Sequence, residues 1–183
     1  MPQTKSAEAQ FAEFIAKYDA EIAGLAESIR AEMRKLYPTA LELVYDNYNA
    51  LAIGFGPTEK SSQAIFSIAV FPQWVSLFFL QGKGLPDPEK ILKGTGNVVR
   101  HVVLKSPDAL EEPAVTALME AALERAAVPL DPNGKHRLII KSISPKQRPR
   151  RPAVKAAKSS PPGRKHPIKA QNAGSRAKTA DRG

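Results

Sequence analysis

The sequence predicts an α+β fold: an antiparallel sheet of five to six strands with N-terminal and C-terminal helices packed on it, followed by a disordered basic tail. Three observations support this class. Apolar residues recur at three- and four-residue steps near both ends of the first 128 residues, as on one face of a helix. Short apolar runs rich in β-branched and aromatic residues fill the centre. Beyond residue 144, large apolar side chains become rare.

The helical pattern at the N-terminus is interrupted by the stretch YDAEIAG. Asp19 is placed there to cap a new helix, and Glu21 falls in its first turn, where a negative charge is favoured. Pro38 then ends the pattern, because the residue before a proline disfavours helical geometry. We therefore expect two early helices, at about 6–17 and 20–36, and a third within 106–128.

Turn signals separate the apolar runs of the centre, and most of the spacers are short. Short spacers favour antiparallel pairing of neighbouring strands, since a parallel pair needs a long crossover. The last run alternates Arg137 and Lys141 with apolar residues, which is typical of a strand at the edge of a sheet. The strands are predicted at 41–45, 49–55, 64–71, 74–80, 97–105 and 136–143.

Charge divides the chain near Ser144. The net charge is +9, but residues 1–144 hold 15 Lys/Arg against 17 Asp/Glu, whereas residues 145–183 hold 12 against one. A segment with so few apolar side chains cannot offset the entropy lost on ordering. We therefore expect a folded domain over 1–144 and a disordered tail over 145–183, and we expect deletion of the tail to leave the thermal transition almost unchanged.

Composition excludes several kinds of site. The chain has no cysteine, so disulfides, thiolate metal ligands and cysteine nucleophiles are excluded. No run approaches the roughly 18 consecutive apolar residues of a membrane-spanning helix. The polar N-terminus lacks the basic-then-apolar order of a signal peptide. These features predict a soluble, cytoplasmic protein.

Four ordered stretches cover most of residues 37–127: YDNYNALAIGFGP, AIFSIAVFPQWVSLFFLQG, GLPDPEKILKGTGNVVRHVVL and LEEPAVTALMEAALERA. Together they resemble the family called domain of unknown function 1801, or YdhG-like. The resemblance implies an antiparallel sheet with helices packed on one side. One bacterial member of that family is regarded as a frataxin-like iron chaperone for iron–sulfur cluster assembly, but no iron ligand can be matched to a position of this chain.

Aromatic and polar side chains near the predicted turns form the main candidate ligand site. Rings beside cations are typical of a groove for a small anionic ligand; the alternative is that the rings only pack and the cations are solvated. Because strand residues alternate between faces, Arg100 and His101 serve one site only if a bulge intervenes. The candidates are Tyr45, Asn47, Tyr48, Trp74, Lys83, Lys93, Arg100 and His101.

The tail is the candidate site for nucleic acid or another polyanion. Clustered Arg and Lys attract phosphate through charge and counterion release. The tail has no aromatic residue for base stacking, so the predicted binding is non-specific and salt-sensitive. The alternative is a solubilising extension. The candidate residues are Lys146, Arg148, Arg150, Arg151, Lys155, Lys158, Arg164 and Lys165.

Neither a catalytic constellation nor a histidine metal motif is visible, so no cofactor is predicted. The sequence therefore favours a non-enzymatic binding module of the YdhG-like type, which holds a small ligand or a partner protein while the tail attracts nucleic acid. The alternative is a frataxin-like iron-binding chaperone, in which carboxylates of the first helices, Glu21 and Glu27, bind Fe²⁺. Such acidic residues are equally typical of a solvated helix face.

Overall fold

The protein, seen in a computed structural model, is described over residues 5–153. Its helices and strands follow the predicted order. The three helices are α1 (Ala7–Ile15), α2 (Ala20–Leu36) and α3 (Pro113–Glu124). The six strands are β1 (Leu41–Asp46), β2 (Leu51–Gly56), β3 (Phe66–Val70), β4 (Val75–Phe79), β5 (Arg100–Leu104) and β6 (Leu138–Ile143).

One sheet contains all six strands, in the order β5-β4-β3-β2-β1-β6. The first five strands pair antiparallel with their neighbours in sequence, and β6 lies at an edge, as predicted. However, β6 runs parallel to β1, so the prediction of a wholly antiparallel sheet was wrong. The chain reaches β6 through the long connection that contains α3, and a connection of that length permits parallel pairing. The α+β class is confirmed, with a mixed sheet.

The helices cover one face of the sheet, and the core lies between them. Ile53, Ile68 and Leu77 occupy this covered face on three neighbouring strands and are fully buried. Ile29 and Met33 of α2 belong to the same cluster of buried side chains. The strand residues that alternate with these point to the other face of the sheet and do not belong to that cluster. We call this second face the open face. No helix among the described residues is long and apolar enough to cross a membrane.

The break between α1 and α2 lies where the sequence predicts it, but its chemistry differs. Asp19 occupies the N-cap position of α2 without making a side-chain capping bond. Its carboxylate instead lies 3.5 Å from Arg151 Nε. Ser6 caps α1, its hydroxyl oxygen accepting a bond from the Ala9 N–H at 3.1 Å.

Tyr18 fastens this break to the sheet. Its ring is 1% exposed; its hydroxyl donates to the Val70 carbonyl at 2.9 Å and accepts from the Leu51 N–H at 3.0 Å. Burial raises the pKa of Tyr18 to about 12. The hydroxyl therefore stays protonated and bonds to the backbone of both β2 and β3 where their ends meet.

Two acids of β1 point toward the covered face, because alternate residues of a strand share a face. Glu42 and Asp46 are both 0% exposed. Arg30 Nε lies 2.6 Å from the Glu42 carboxylate, which also pairs with Arg34 and His136. Buried carboxylates of this kind are tolerated only when cations reach them.

Asp46 receives one of its cations from beyond the predicted domain boundary. Arg150 is 4% exposed, and its Nη2 donates to Asp46 Oδ1 at 2.9 Å. Lys17 Nζ lies 2.6 Å from the other carboxylate oxygen. We call the Asp46–Arg150 pair the clamp. The sequence places Arg150 in a disordered tail, whereas the structure buries it, because an acid enclosed by the core requires a buried partner.

Candidate functional site on the open face of the sheet

Two turns lie side by side at one end of the sheet. The antiparallel register places Leu51 opposite Val70, so the β1–β2 turn at 47–50 and the β3–β4 turn at 71–74 emerge together. A backbone hydrogen bond closes each turn, at 3.1 Å and 2.9 Å respectively. Polar and aromatic residues that lie far apart in sequence are thus neighbours.

The segment after β6 reaches the same end. Because β6 runs parallel to β1, it also finishes beside Asp46, and the Ser144 N–H donates to the Asp46 carbonyl at 2.8 Å. Further along, the Arg148 N–H donates to the Tyr48 carbonyl at 2.9 Å. The parallel direction of β6 therefore brings the first basic residues onto the β1–β2 turn.

Aromatic rings and a guanidinium meet at this end, and we call this group the aromatic–arginine surface: Tyr48, Phe71, Trp74 and Arg148. The Arg148 guanidinium lies 5.5 Å from the ring centroid of Tyr48, within cation–π range. Phe71 and Trp74 stack with centroids 4.9 Å apart. Tyr48 is 48% exposed and Trp74 is 43% exposed. Arg148 and Trp74 line one cavity of about 520 Å³.

A larger cavity, of about 640 Å³, continues from this surface across the open face. Its floor is low because β2 and β3 present small side chains there, including Ala52, Ser67 and Ala69. Asn49 and Phe71 line both cavities and so join them. The described residues lining the two cavities include Arg148 and no carboxylate. The joined cavities therefore combine stacking surfaces, amide groups and positive charge.

Phe78 extends this environment to the last antiparallel strand. Its ring lines the larger cavity and stacks on His101 of β5, with centroids 4.8 Å apart. Burial, and to a smaller extent the charge of Lys93, holds the pKa of His101 below its usual value. At neutral pH the imidazole is therefore uncharged and serves as a planar stacking partner.

The structure places Arg100 away from this site. Arg100 lies opposite the core residue Phe79, whereas His101 lies opposite Phe78, so the two neighbours face opposite sides, in agreement with strand alternation. The Arg100 guanidinium donates to the carbonyls of Gly96 and Val99 in its own loop, at 2.6 and 2.8 Å.

The other predicted residues divide between the joined cavities and elsewhere. Asn47, Tyr48 and Trp74 line them. Tyr45 is half-buried on the open face, its hydroxyl having no hydrogen-bond partner among the described residues. Lys93 lines a separate cavity at the β5 edge, and the Lys83 N–H donates to the Val98 carbonyl.

Sequence reasoning missed three contributors to the site. Phe71 stands in the FPQW turn, and its place at a tight turn between two predicted strands could have indicated that it belongs to the site. Phe78 alternates with buried Leu77 and Phe79, a period of two that predicts an opposite-facing side chain. Arg148 was named only as a tail cation, and no local pattern indicates its contact with Tyr48.

The predicted polyanion residues also differ in placement. Lys146 and Arg148 are exposed, Arg150 is buried in the clamp, and Arg151 is exposed beside Asp19. Lys155, Lys158, Arg164 and Lys165 lie outside the described residues.

The carboxylates suggested for iron, Glu21 and Glu27, are both exposed on α2. Within residues 5–153, no three or more His, Asp or Glu side chains come together in an arrangement that could hold a metal ion.

Comparison with family models, with curated proteins and with solved structures gave no match. The resemblance to the YdhG-like family therefore stays a prediction, and the site is interpreted from its own geometry.

Proposed function

We propose that this protein is a non-enzymatic module that binds nucleic acid through the aromatic–arginine surface, with further attraction from the basic residues that follow it. The observation that carries the proposal is the contact of Arg148 with the ring of Tyr48, beside the stack of Phe71 on the exposed Trp74. It joins a phosphate-binding group to stacking surfaces within one accessible region.

Stacking favours bases of any sequence, because every base has a π-face. Each base stacked on an aromatic ring contributes about 1–3 kcal/mol. Tyr48 and Trp74 are exposed enough to be contacted without opening the core. Asn47 and Asn49, on the same turn, present amide donors and acceptors to the edges of a stacked base.

Positive charge supplies the second component. A polyanion that approaches the joined cavities meets Arg148 and no carboxylate among their described lining residues. Besides Arg148 and the buried Arg150, residues 145–183 hold 10 Lys/Arg against one Asp. Phosphates that displace counterions there give an affinity that falls steeply with salt. The proposal is one of binding alone, since stacking, hydrogen bonding and charge are what these side chains supply.

Trp74 provides a direct assay, because it is the only tryptophan of the chain. Titration with oligothymidylate should quench its fluorescence in a saturable manner. Tyr48→Ala should weaken binding by about 5- to 150-fold, the equivalent of one lost stacking contact. A saturable interaction that leaves Trp74 emission unchanged would refute the assignment of this surface.

Arg148→Gln should also weaken binding. Its matched control is Arg137→Gln, because Arg137 is an exposed arginine that precedes β6 at the opposite end of the sheet. Equal losses in the two variants would mean that charge alone, and not the position beside Tyr48, determines the affinity.

Deletion of residues 154–183 separates the two components. The shortened chain should lose most of its retention on DNA or RNA at low salt, as the charge count predicts. It should keep the quenching of Trp74 by short oligonucleotides, because Arg148 and the clamp remain. Unchanged retention would remove the basic residues after 153 from the proposal.

A further inference from the structure

A third cavity, of about 340 Å³, lies at the β5 edge of the sheet and is rich in lysine. Lys90, Lys93 and Lys105 line it, together with one acid, Glu112. All three lysines are exposed, and none forms an ion pair within residues 5–153. Three ammonium groups around one cavity repel one another, so an anion placed between them is favoured.

The backbone holds these lysines in position. Lys90 adopts φ +56°, a left-handed conformation that is costly for a residue with a Cβ. The Asp87 carboxylate compensates by accepting bonds from the N–H groups of Ile91 and Leu92 at 3.0 and 2.9 Å. Lys93 exchanges two backbone bonds with His101, at 2.8 and 2.9 Å. These bonds fix the backbone from which Lys90 and Lys93 project, and Lys105 directly follows β5.

This lysine cavity lies at the β5 edge, just beyond one end of a path across the open face: Val103 of that face lines it, and so do Val102 and Val115 of the buried cluster. The backbone of His101 is hydrogen-bonded to that of Lys93. The His101 ring stacks on Phe78, which lines the larger of the joined cavities. That cavity leads to Tyr48 and, through Asn49, to Arg148. From β5 to β1 the path crosses four strand spacings, or about 19 Å.

We propose that one single strand of nucleic acid follows this path, with its phosphates contacting the lysine cavity at one end and Arg148 at the other and its bases on the rings between. This inference rests on the proposed function and specifies its substrate as a single strand. A duplex keeps its bases paired, so it offers no free base to the Phe78 and Trp74 rings. DNA and RNA single strands share this chemistry, and both belong in the measurement.

The test compares a variant that lacks the three lysines with a matched control. Lys90→Asn, Lys93→Gln and Lys105→Gln are combined, Asn being chosen because it tolerates the left-handed conformation. The control combines Lys35→Gln, Lys60→Gln and Lys135→Gln, three exposed lysines that line none of the three cavities. Both variants lose the same charge, and thermal melting checks that both are folded.

Binding is followed by Trp74 fluorescence with oligothymidylate and oligouridylate of about 4 and about 15 nucleotides, within the range of known site sizes. For the longer strands, loss of the lysine cavity should lower the slope of log affinity against log salt by about 2, since each phosphate contact contributes about 0.7. The control should retain the wild-type slope. Binding of the shortest strands should be the same in all three proteins.

Three results would overturn the inference. Equal slopes in the two variants would show that the lysine cavity contacts no phosphate. The path would also be wrong if a duplex of equal length bound as tightly as the single strand, or if affinity did not increase with strand length. In each of these cases the quenching of Trp74 by short strands would leave the proposed function standing, whereas no quenching by any strand would refute that function itself.

Discussion

Removal of the Arg150 guanidinium should destabilise the fold far more than removal of the guanidinium of the next residue, Arg151. Arg150→Ala leaves Asp46 buried without its partner at 2.9 Å, and it also removes the donor to the Asn47 and Tyr48 carbonyls. Arg151→Ala is the matched control, because Arg151 is exposed and makes only exposed contacts, with the Asp19 carboxylate at 3.5 Å and the Ala16 carbonyl at 3.3 Å.

The magnitude follows from burial. Breaking a buried ion pair by removing one partner costs about 3–5 kcal/mol. Lys17 still lies 2.6 Å from Asp46 and is 40% exposed, so we expect the lower limit, about 3 kcal/mol. For a folded region of this size, that loss lowers Tm by about 6–12 °C. The exposed Arg151 pair is worth at most about 1 kcal/mol, or about 2–4 °C.

Thermal melting and urea titration of the two variants measure this difference. The double variant Asp46→Asn/Arg150→Met, which removes both charges, should recover most of the lost stability. A chain that ends at 144 should melt well below one that ends at 153, in contrast to the sequence-based expectation that all of 145–183 is dispensable. Equal and small Tm changes for Arg150→Ala and Arg151→Ala would show that the clamp contributes little and that the reasoning from burial is wrong.

Three further variants test other parts of the structure. Tyr18→Phe leaves a buried carbonyl and a buried N–H without their shared partner. It should therefore lower the free energy of unfolding, measured by urea titration, by about 2–4 kcal/mol. A decrease smaller than that caused by a substitution at an exposed position would contradict the bridging role. Gly56→Ala would place a Cβ 2.8 Å from the Ala64 Cα, whereas at Gly54 the nearest atom is 3.6 Å away; the first variant should lose about 1–3 kcal/mol and the second should melt near wild type. Because the pKa of His101 is lowered on folding, the unfolded chain binds that proton more readily, so stability should fall as the pH drops through about 6.5. His101→Gln should flatten that part of the stability profile, and an unchanged profile would exclude His101 as its source.

The elements that depend on local pattern were predictable. The interruption before Asp19, the five neighbouring antiparallel strands and the edge position of β6 all follow from periodicity and spacer length. The direction of β6 did not follow, because it depends on where the connection through α3 returns the chain. That direction matters for the site, since it carries Arg148 to the β1–β2 turn and not to the other end of the sheet.

The sequence predicted the kinds of residue that form the candidate site better than it predicted which particular residues belong to it. Asn47, Tyr48 and Trp74 stand at turns that two tight spacers bring together, and the structure places them on joined cavities. Arg100 is also a cation close to aromatic residues in the sequence, yet strand alternation places it on the covered side of the sheet, opposite Phe79. A pattern in one strand indicates which residues alternate, but it does not say which face the helices will cover.

The sequence by itself determined the near-neutral body, the concentration of positive charge near the C-terminus and the order of helices and strands, because charge counts and periodicity are properties of neighbouring residues. Only the tertiary structure decided which basic residue is buried and which is presented to a ligand. Asp46 and Arg150 are 104 positions apart. Two side chains of the same type, Arg148 and Arg150, differ because the fold places an exposed ring beside the first and a buried acid beside the second. The reason is that burying a charge without a partner is energetically unfavourable, and the residues next to it in sequence do not show that it will be buried.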